Sequence, residues 1–270
     1  MPEASSDPQA HLSALEGEIA LYRHALEKVR EEMQAFAYSV SHDLRAPIRA
    51  IEGFSKILLD DYAAELQPDA KKFLTLITQN TQQLSSQIED LLKYYRLGKL
   101  TPQKVVVESE SLVREALADQ SMSLPAGITI SSNCVGKVLA DPVQLRHAIC
   151  QLLSNAIKFS RNAPNPQIEI GSRCDPNSTT IFVKDNGVGF EMQYAVRLFS
   201  VFQKLHSSEE YPGNGIGLAI VKRIVEAHGG CVWAEAEPDR GATFFFTLPG
   251  GAGSVRETES VLAENSQKTA

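Results

Sequence analysis

Two neighbouring side chains, His42 and Asp43, have the types and placement for nucleophilic chemistry. They lie in Ser39-Val-Ser-His-Asp-Leu-Arg-Ala-Pro-Ile48, a stretch with a helical pattern. Neutral imidazole is a good nucleophile, and near neutral pH much of it is neutral. An adjacent carboxylate can take the proton of one ring nitrogen in a hydrogen bond and leave the other nitrogen free to attack. Pro47 follows five residues after His42. It has no N–H to give the carbonyl one turn earlier, near Asp43, so a bend in the helix is expected there. A surface histidine on a helix that carries a proline is the plain alternative.

Three later segments also carry polar groups in patterns that suggest a ligand. In Gln151-Leu-Leu-Ser-Asn155-Ala-Ile-Lys158, the three polar residues recur at steps of four and three, which places them on one face of a helix. Amide oxygens can ligate Mg²⁺ and a lysine can meet phosphate, although a solvated helix face would read the same way. Asp185-Asn186-Gly187-Val-Gly189-Phe190 ends an apolar strand. Its glycines allow close backbone approach to a ligand, and its carboxylate can accept from an exocyclic amine such as that of adenine. Asn-Gly is also a strong turn signal. Gly213-Asn-Gly215-Ile-Gly217-Leu218 opens directly into a helix, where free N–H groups and the helix dipole favour phosphate. It matches neither the dinucleotide fingerprint nor the P-loop signature.

The elements that must position these groups follow from periodicity. Leu12, Leu15, Ile19, Tyr22, Leu26, Val29, Met33 and Phe36 alternate in steps of three and four, a heptad seam that favours a coiled coil over a lone amphipathic helix. The phase continues through Val40, so His42 lies on the same helix but off the seam. The pattern runs on through Ile51, Phe54, Ile57 and Leu58 and breaks at Asp60-Asp61-Tyr62. Pro68 marks the next helix start. A second stripe follows at Phe73, Ile77, Asn80, Leu84, Ile88, Leu91 and Tyr95, with Gly98 as C-cap. Two such helices form a hairpin, and two hairpins bury their remaining seams in a four-helix bundle, so a homodimer is expected.

From about Lys99 the texture becomes mixed α/β. Strands are predicted at Lys104–Val107, Ile128–Ser132, Val138–Ala140, Gln167–Cys174, Thr179–Lys184, Cys231–Ala236 and Ala242–Leu248. Helices are predicted at Ser109–Ala118, Val143–Phe159 and Ile216–His228, the second opened by Asp141-Pro142 as N-cap and first helical residue. Residues 185–214 read as loop-rich. The division is therefore a coiled-coil helix over 1–35, a dimerising helical hairpin over 36–98, an α/β domain over 99–250 and a small, polar, disordered tail over 251–270.

Composition narrows the function classes. The chain has 270 residues, 43% hydrophobic and 22% charged, in the ordinary globular range. A formal net charge of −7 argues against nucleic acid as main partner. Cys134, Cys150, Cys174 and Cys231 are scattered and make no C-x-x-C pair, which disfavours a metal or disulfide framework. The chain shows no apolar run of about 18 residues and a polar start, so no membrane span or signal peptide is expected and the cytoplasm is the expected compartment.

In this order and spacing the segments resemble the sensor histidine kinases of two-component signalling, with wording similar to phytochrome-type kinases. Ser41-His42-Asp43-Leu44-Arg45-Ala46-Pro47 resembles the H box and Asn155-Ala-Ile-Lys158-Phe159 the N box. Asp185-Asn-Gly-Val-Gly189 resembles the G1 box, Phe199-Ser-Val-Phe202-Gln-Lys-Leu-His206 the F box, and Gly213–Gly217 the G2 box. The match covers residues 30–250 and implies a dimeric histidine-phosphotransfer hairpin followed by a Bergerat-type ATP-binding α/β sandwich, the fold of gyrase, Hsp90-type chaperones and MutL.

Carried over by position, the resemblance implies His42 as phospho-acceptor and Asp43 as its base. Asn155, with Gln151 beside it, would hold Mg²⁺, and Lys158 and Phe159 would face ATP. Asp185 would take the adenine amine, with Gly187 and Gly189 shaping its pocket. Gly213, Gly215, Gly217 and Leu218 would line the phosphate lid, with residues 203–214 mobile. Phe199 and Phe202 would support that lid, dock on the hairpin or pack in the core. Two positions depart from the common pattern. Gln151 stands where many relatives have an acidic or amide residue. Ala46 stands where relatives with phosphatase activity often carry Thr or Asn. The implied function is autophosphorylation on His42 and transfer to an aspartate of a separate response regulator. The rivals are a clamp-type ATPase, which leaves His42 unexplained, and a non-catalytic dimeric adaptor, against which the intact Asn155, Asp185 and G2 glycines argue.

Overall fold

A computed structural model describes residues 8–97, 101–121, 124–125, 127–207 and 210–249. The expected C-cap at Gly98 and the tail over 251–270 lie outside the described residues. The chain divides into two compact units, Met1–Tyr95 and Arg96–Ala270.

The first unit is a helical hairpin. Helix α1, Pro8–Asp61, runs without interruption through Pro47. It ends in a turn in which Glu65 and Leu66 donate their N–H groups to the Tyr62 carbonyl, and α2, Pro68–Leu97, returns. Heptad spacing sets what the hairpin buries. Ser41, Ile48 and Ser55 lie seven residues apart on α1 and are buried, as are Thr81, Ile88 and Leu92 on α2. Ile48, Ile88 and Leu92 form one apolar cluster, and Gln82 Nε2 donates to Glu52 Oε1 across the two helices at 3.1 Å.

The stripe expected on α2 divides between two environments: Ile88 is buried in the hairpin, and its N-terminal part is not. Phe73, Ile77 and Leu84 remain exposed, together with Leu76, while Thr81, Ile88 and Leu92 fill the hairpin seam. Each helix thus carries two apolar seams. The internal one is built largely of small and hydroxyl residues, which made it the fainter of the two in the sequence. On α1 the heptad residues Leu15, Ile19, Tyr22, Leu26, Val29, Met33 and Phe36 are exposed, as are Leu44, Ile51, Phe54, Ile57 and Leu58 beyond them.

The second unit is an α/β sandwich. Strands β1 (Val105–Glu108) and β3 (Lys137–Ala140) pair antiparallel, with Val105 opposite Ala140. Strands β2 (Thr129–Asn133), β4 (Gln167–Asp175), β5 (Ser178–Asp185), β6 (Val232–Glu237) and β7 (Gly241–Pro249) form a five-stranded sheet in the order β2-β4-β5-β7-β6. Among the described strands of this sheet only β2 and β4 run parallel. Helices α3 (Ser109–Gln120), α4 (Pro142–Ser160) and α5 (Gly217–Ala227) complete the layer. The period-two pattern of the strands places Ile168, Ile170, Ile181, Val183, Phe244, Phe246 and Leu248 in the core with Leu145, Ile149, Leu152 and Ile224 of the helices. On the other face Phe182, Phe245 and Trp233 stand in one cross-strand row, the last two stacked at 5.0 Å between ring centroids.

The entry to α4 is held from two sides. Asp141 Oδ1 accepts from the N–H groups of Val143 and Gln144, and its Oδ2 accepts from Gln103 N–H. Burial opposes the Asp141 charge, but these backbone donors hold its carboxyl below the usual range. The Asp141 N–H donates to Nε2 of His228 at 2.9 Å, while His228 Nδ1–H donates to the Ile224 carbonyl at 2.8 Å. His228 is therefore a neutral buried imidazole tying the end of α5 to the start of α4, and burial pushes its pKa down.

Candidate functional site

Asp185 is the last residue of β5, in register with Ala242 of β7, and only 3% exposed. Its Oδ1 accepts the Gly187 N–H at 2.9 Å. Burial outweighs the Gly187 and Ala242 N–H donors and pushes the carboxyl pKa up to about 6. The loop that follows has no room for side chains. A Cβ on Gly187 would lie 2.3 Å from the Phe159 carbonyl oxygen and 2.8 Å from Asp185 Oδ1. Gly189 has φ +57°, and its Cβ would lie 2.0 Å from the Glu237 carbonyl oxygen. No hairpin forms at Asn186-Gly187, since no strand follows directly to pair with β5; instead Asn186 Oδ1 accepts from Gln167 N–H and its Nδ2 donates to the Asn165 carbonyl. The glycines beyond it serve close packing against α4 and the β6–β7 turn.

The polar row of α4 meets the glycine-rich stretch. A Cβ on Gly217 would lie 2.7 Å from Gln151 Oε1, and one on Gly213 would lie 3.3 Å from Lys158 Nζ. Gln151, Asn155 and Lys158 are half-buried, not solvated as the plain reading of that face required. Gly215 has φ +69° and packs its Cα side against the Gln203 carbonyl oxygen. Gly217 is the first residue of α5, whose N-cap Ile216 supplies no side-chain cap, so first-turn N–H groups are left for another acceptor. Leu218 follows in that turn, half-buried.

The electrostatics favour an anion. Burial lowers the Lys158 pKa, and the positive charges of Lys204 and Arg161 lower it further. Lys158, beside Gly213, thus lies within electrostatic reach of two further cations, a repulsion that an anion would relieve. Lys158 Nζ also sits 4.3 Å over the Phe159 ring, and Phe159 packs on Tyr211 and His206 at 5.1 and 5.4 Å between centroids. His206 Nε2–H donates to the Gly189 carbonyl at 2.9 Å, and Arg161 stacks over Tyr211 at 5.4 Å. Within the segment expected to be mobile over 203–214, His206 and Tyr211 are the residues that make these contacts. Of the two F-box aromatics, Phe199 is half-buried and Phe202 exposed with φ +62°, so Phe202 is not a core residue.

Among the described residues no group of three or more His, Cys, Asp or Glu could hold a metal. The oxygen donors beside the cradle are the neutral amides of Gln151 and Asn155. That set fits a hard cation such as Mg²⁺ only where phosphate oxygens and water supply its remaining ligands.

In the helical unit, His42 Nδ1–H donates to Asp43 Oδ1 at 3.2 Å, with the His42 side chain 71% exposed. In the neutral ring this leaves Nε2 as the unprotonated nitrogen, on a side chain open to solvent.

Sequence reasoning missed three contributors. Gly241 has φ +100°, and its Cβ would lie 2.0 Å from the Asp185 carbonyl oxygen. Its only signal was the Asp239-Arg240-Gly241 turn, which reads as an ordinary hairpin. Tyr211 and Arg161 carry no motif at all. No helix among the described residues is long and apolar enough to cross a membrane.

Comparison with known proteins gives two family matches. Residues 32–99 match the His Kinase A (phospho-acceptor) domain, and residues 140–252 match the histidine kinase-, DNA gyrase B-, and HSP90-like ATPase. Cyanobacterial phytochrome A of Nostoc sp. is 35% identical over 241 residues, 89% of this chain and 31% of that protein. The methanogenesis regulatory histidine kinase FilI of Methanothrix harundinacea is 35% identical over 246 residues, 90% of this chain and 28% of that protein. The chain thus spans less than a third of the length of these relatives. The crystal structure of full-length ShkA in complex with AMPPNP matches with a TM-score of 0.57 at 26% identity, covering 80% of this chain and 46% of that one.

Proposed function

Because the chain belongs to the sensor histidine kinases of two-component systems, we propose that it transfers the γ-phosphoryl group of ATP to His42 and from there to an aspartate of a separate response regulator. The observation that carries this is the exposed His42, its Nδ1 held by Asp43 at 3.2 Å and its Nε2 free. An ATPase that used nucleotide only as a clamp would have no use for that pair.

In this reading Asp185 accepts the adenine amine, and Gly187, Gly189 and Gly241 let the backbone close around the base. Lys158, with Arg161 and Lys204 behind it, meets the phosphates, as do the first N–H groups of α5 at Gly217 and Leu218. Gly213 and Gly215 let the lid approach without side chains. Gln151 and Asn155 would hold Mg²⁺, which neutralises charge on the phosphate oxygens. Phe159 anchors the lid aromatics Tyr211 and His206.

His42 Nε2 attacks the γ-phosphorus in line; the N–P bond forms as the bond to the bridging oxygen breaks, and ADP leaves. Asp43 stabilises the positive charge that develops on the ring. The phosphoramidate then passes its phosphoryl group to the regulator's carboxylate, and the imidazole is regenerated.

Residues 36–98 act as the dimerisation and phosphotransfer domain, residues 99–250 as the catalytic domain, and residues 1–35 as the signalling coiled coil. The open seams of α1 and α2 are the surface on which a second copy completes a four-helix bundle. The test is labelling with γ-phosphate-tagged ATP and Mg²⁺. Acid-labile, base-stable label that disappears in His42→Gln supports the proposal; ATP turnover without phosphoprotein favours the clamp.

A further inference from the structure

We propose that His147 is a positioning residue for the cation that accompanies the nucleotide, acting through the amide of Gln151; this rests on the nucleotide-binding reading above. His147 and Gln151 lie one turn apart on α4, both half-buried, with His147 Nε2 3.1 Å from Gln151 Nε2. An amide nitrogen only donates, so the imidazole nitrogen facing it accepts. With its nitrogen spent on His147, Gln151 turns Oε1 to the start of α5, where it lies 2.7 Å from the position a Gly217 Cβ would take. The opposite orientation would set the amide N–H₂ against the free N–H groups of the α5 first turn, donor against donor.

The consequence is chemical. An amide oxygen beside a phosphate cradle repels phosphate lone pairs unless a cation lies between them, and an oxygen is the donor that Mg²⁺ takes. Gly217 keeps that oxygen accessible, because any side chain there would occupy its space. A glutamine free to rotate would present oxygen or nitrogen to the cradle. His147 removes that freedom, as the hydrogen-bond partner of a metal ligand does for the ligand. The sequence singles out Gln151 only as a substitute for a common acidic or amide residue; the histidine beside it explains how an uncharged substitute can serve.

The test is equilibrium binding of a fluorescent non-hydrolysable ATP analogue to the full chain, titrated with Mg²⁺ and repeated without metal. For His147→Leu, the Mg²⁺ concentration that gives half the metal-dependent gain in affinity is expected to rise about 10-fold, the lower end for loss of a ligand's orienting partner. The metal-free affinity is expected to change by less than about twofold, since no nucleotide atom is assigned to His147. His147→Gln, which keeps an acceptor, restores the wild-type Mg²⁺ dependence even if His147→Leu lowers the melting temperature. In a Gln151→Glu background both carboxylate oxygens are equivalent, so adding His147→Leu leaves the Mg²⁺ dependence unchanged. An unaltered Mg²⁺ dependence in His147→Leu, or the same rise in the Gln151→Glu background, overturns the proposal. A wild type that binds no nucleotide overturns the nucleotide-binding reading instead.

Discussion

Asp185 is held in a state that opposes its own stability. Its carboxyl is buried beneath Gly187 and its pKa is raised from 3.8 to about 6. A folded-state pKa above the unfolded value means the fold is favoured when the group is protonated. That contribution is full below about pH 4 and is lost as the pH rises through 6, amounting to about 3 kcal/mol at about 1.36 kcal/mol per unit. Asp185→Asn removes the ionisation. Its Oδ1 still accepts the Gly187 N–H, but its N–H₂ faces the adenine amine, donor against donor. Without nucleotide the variant is expected to melt higher than wild type at pH 7.5, by several degrees, while ATP affinity falls about 10- to 100-fold. Calorimetry and nucleotide titration on the same sample check both halves, and a variant less stable than wild type sinks the account. Gly241 makes the complementary case. Gly241→Ala forces a side chain onto φ +100° and the Asp185 carbonyl oxygen, a strain of about 1–3 kcal/mol. It is expected to lower both the melting temperature and the ATP affinity without touching the ligand; unchanged binding would show that the Asp185 loop does not depend on this turn.

At the scale of elements, regular structure was legible and its fine contacts were not. Apolar periodicity, Pro68, and the Asp141-Pro142 start placed α2 to α5 within two residues, because one stripe and one cap determine each, whereas the start of α1 carries no such cap signal. Strands β3, β4, β5 and β7 grew by a residue at their ends, since pairing such as Asp185 with Ala242 continues beyond the apolar run, whereas β1, β2 and β6 shifted one residue along the chain. Thr81 was absent from the α2 stripe read from apolar residues, because its place in the buried seam rests on a hydroxyl satisfied by the Ile77 carbonyl. The site was legible as glycines and polar rows, yet Gly241 and the aromatic contacts of Tyr211 arise only when distant segments meet. His228 gives this scale its own test. Its lowered pKa means the unfolded chain takes up a proton first, so its contribution is present above about pH 6.5 and is lost below it. In the Asp185→Asn background, where the opposing carboxylate is silent, the α/β unit is expected to lose melting temperature between pH 7 and 5. Adding His228→Gln should flatten that dependence, whatever it does to the absolute stability. A slope that survives the substitution would assign the acid sensitivity elsewhere.

At the scale of the molecule the unmet demand is apolar surface. Leu44, Ile51, Phe54, Ile57, Phe73, Leu76, Ile77 and Leu84 are all more than 40% exposed on a hairpin whose internal apolar cluster, among the described residues, is Ile48, Ile88 and Leu92. An exposed stripe of that length marks an interaction surface, and a self-complementary stripe on two antiparallel helices suits a second copy of the same hairpin. The open seam and the internal seam share the helices but not the residues, so they can be tested apart. A charge at Ile51, as in Ile51→Glu, is expected to convert the protein to a monomer in sedimentation and to reduce labelling at His42 at least about 10-fold, with ATP affinity retained. The arithmetic supports that magnitude: burying two unpaired carboxylates in a symmetric interface costs several kcal/mol, and each 1.4 kcal/mol is about a factor of ten. Ile88→Ala, in the internal seam, removes core volume within one chain and is expected to destabilise the hairpin by about 2–5 kcal/mol. Its melting temperature should therefore fall at every protein concentration, whereas the Ile51→Glu defect should recede as concentration rises. If Ile51→Glu stays dimeric, the exposed seam serves a different partner, and the four-helix bundle must be built from other surface.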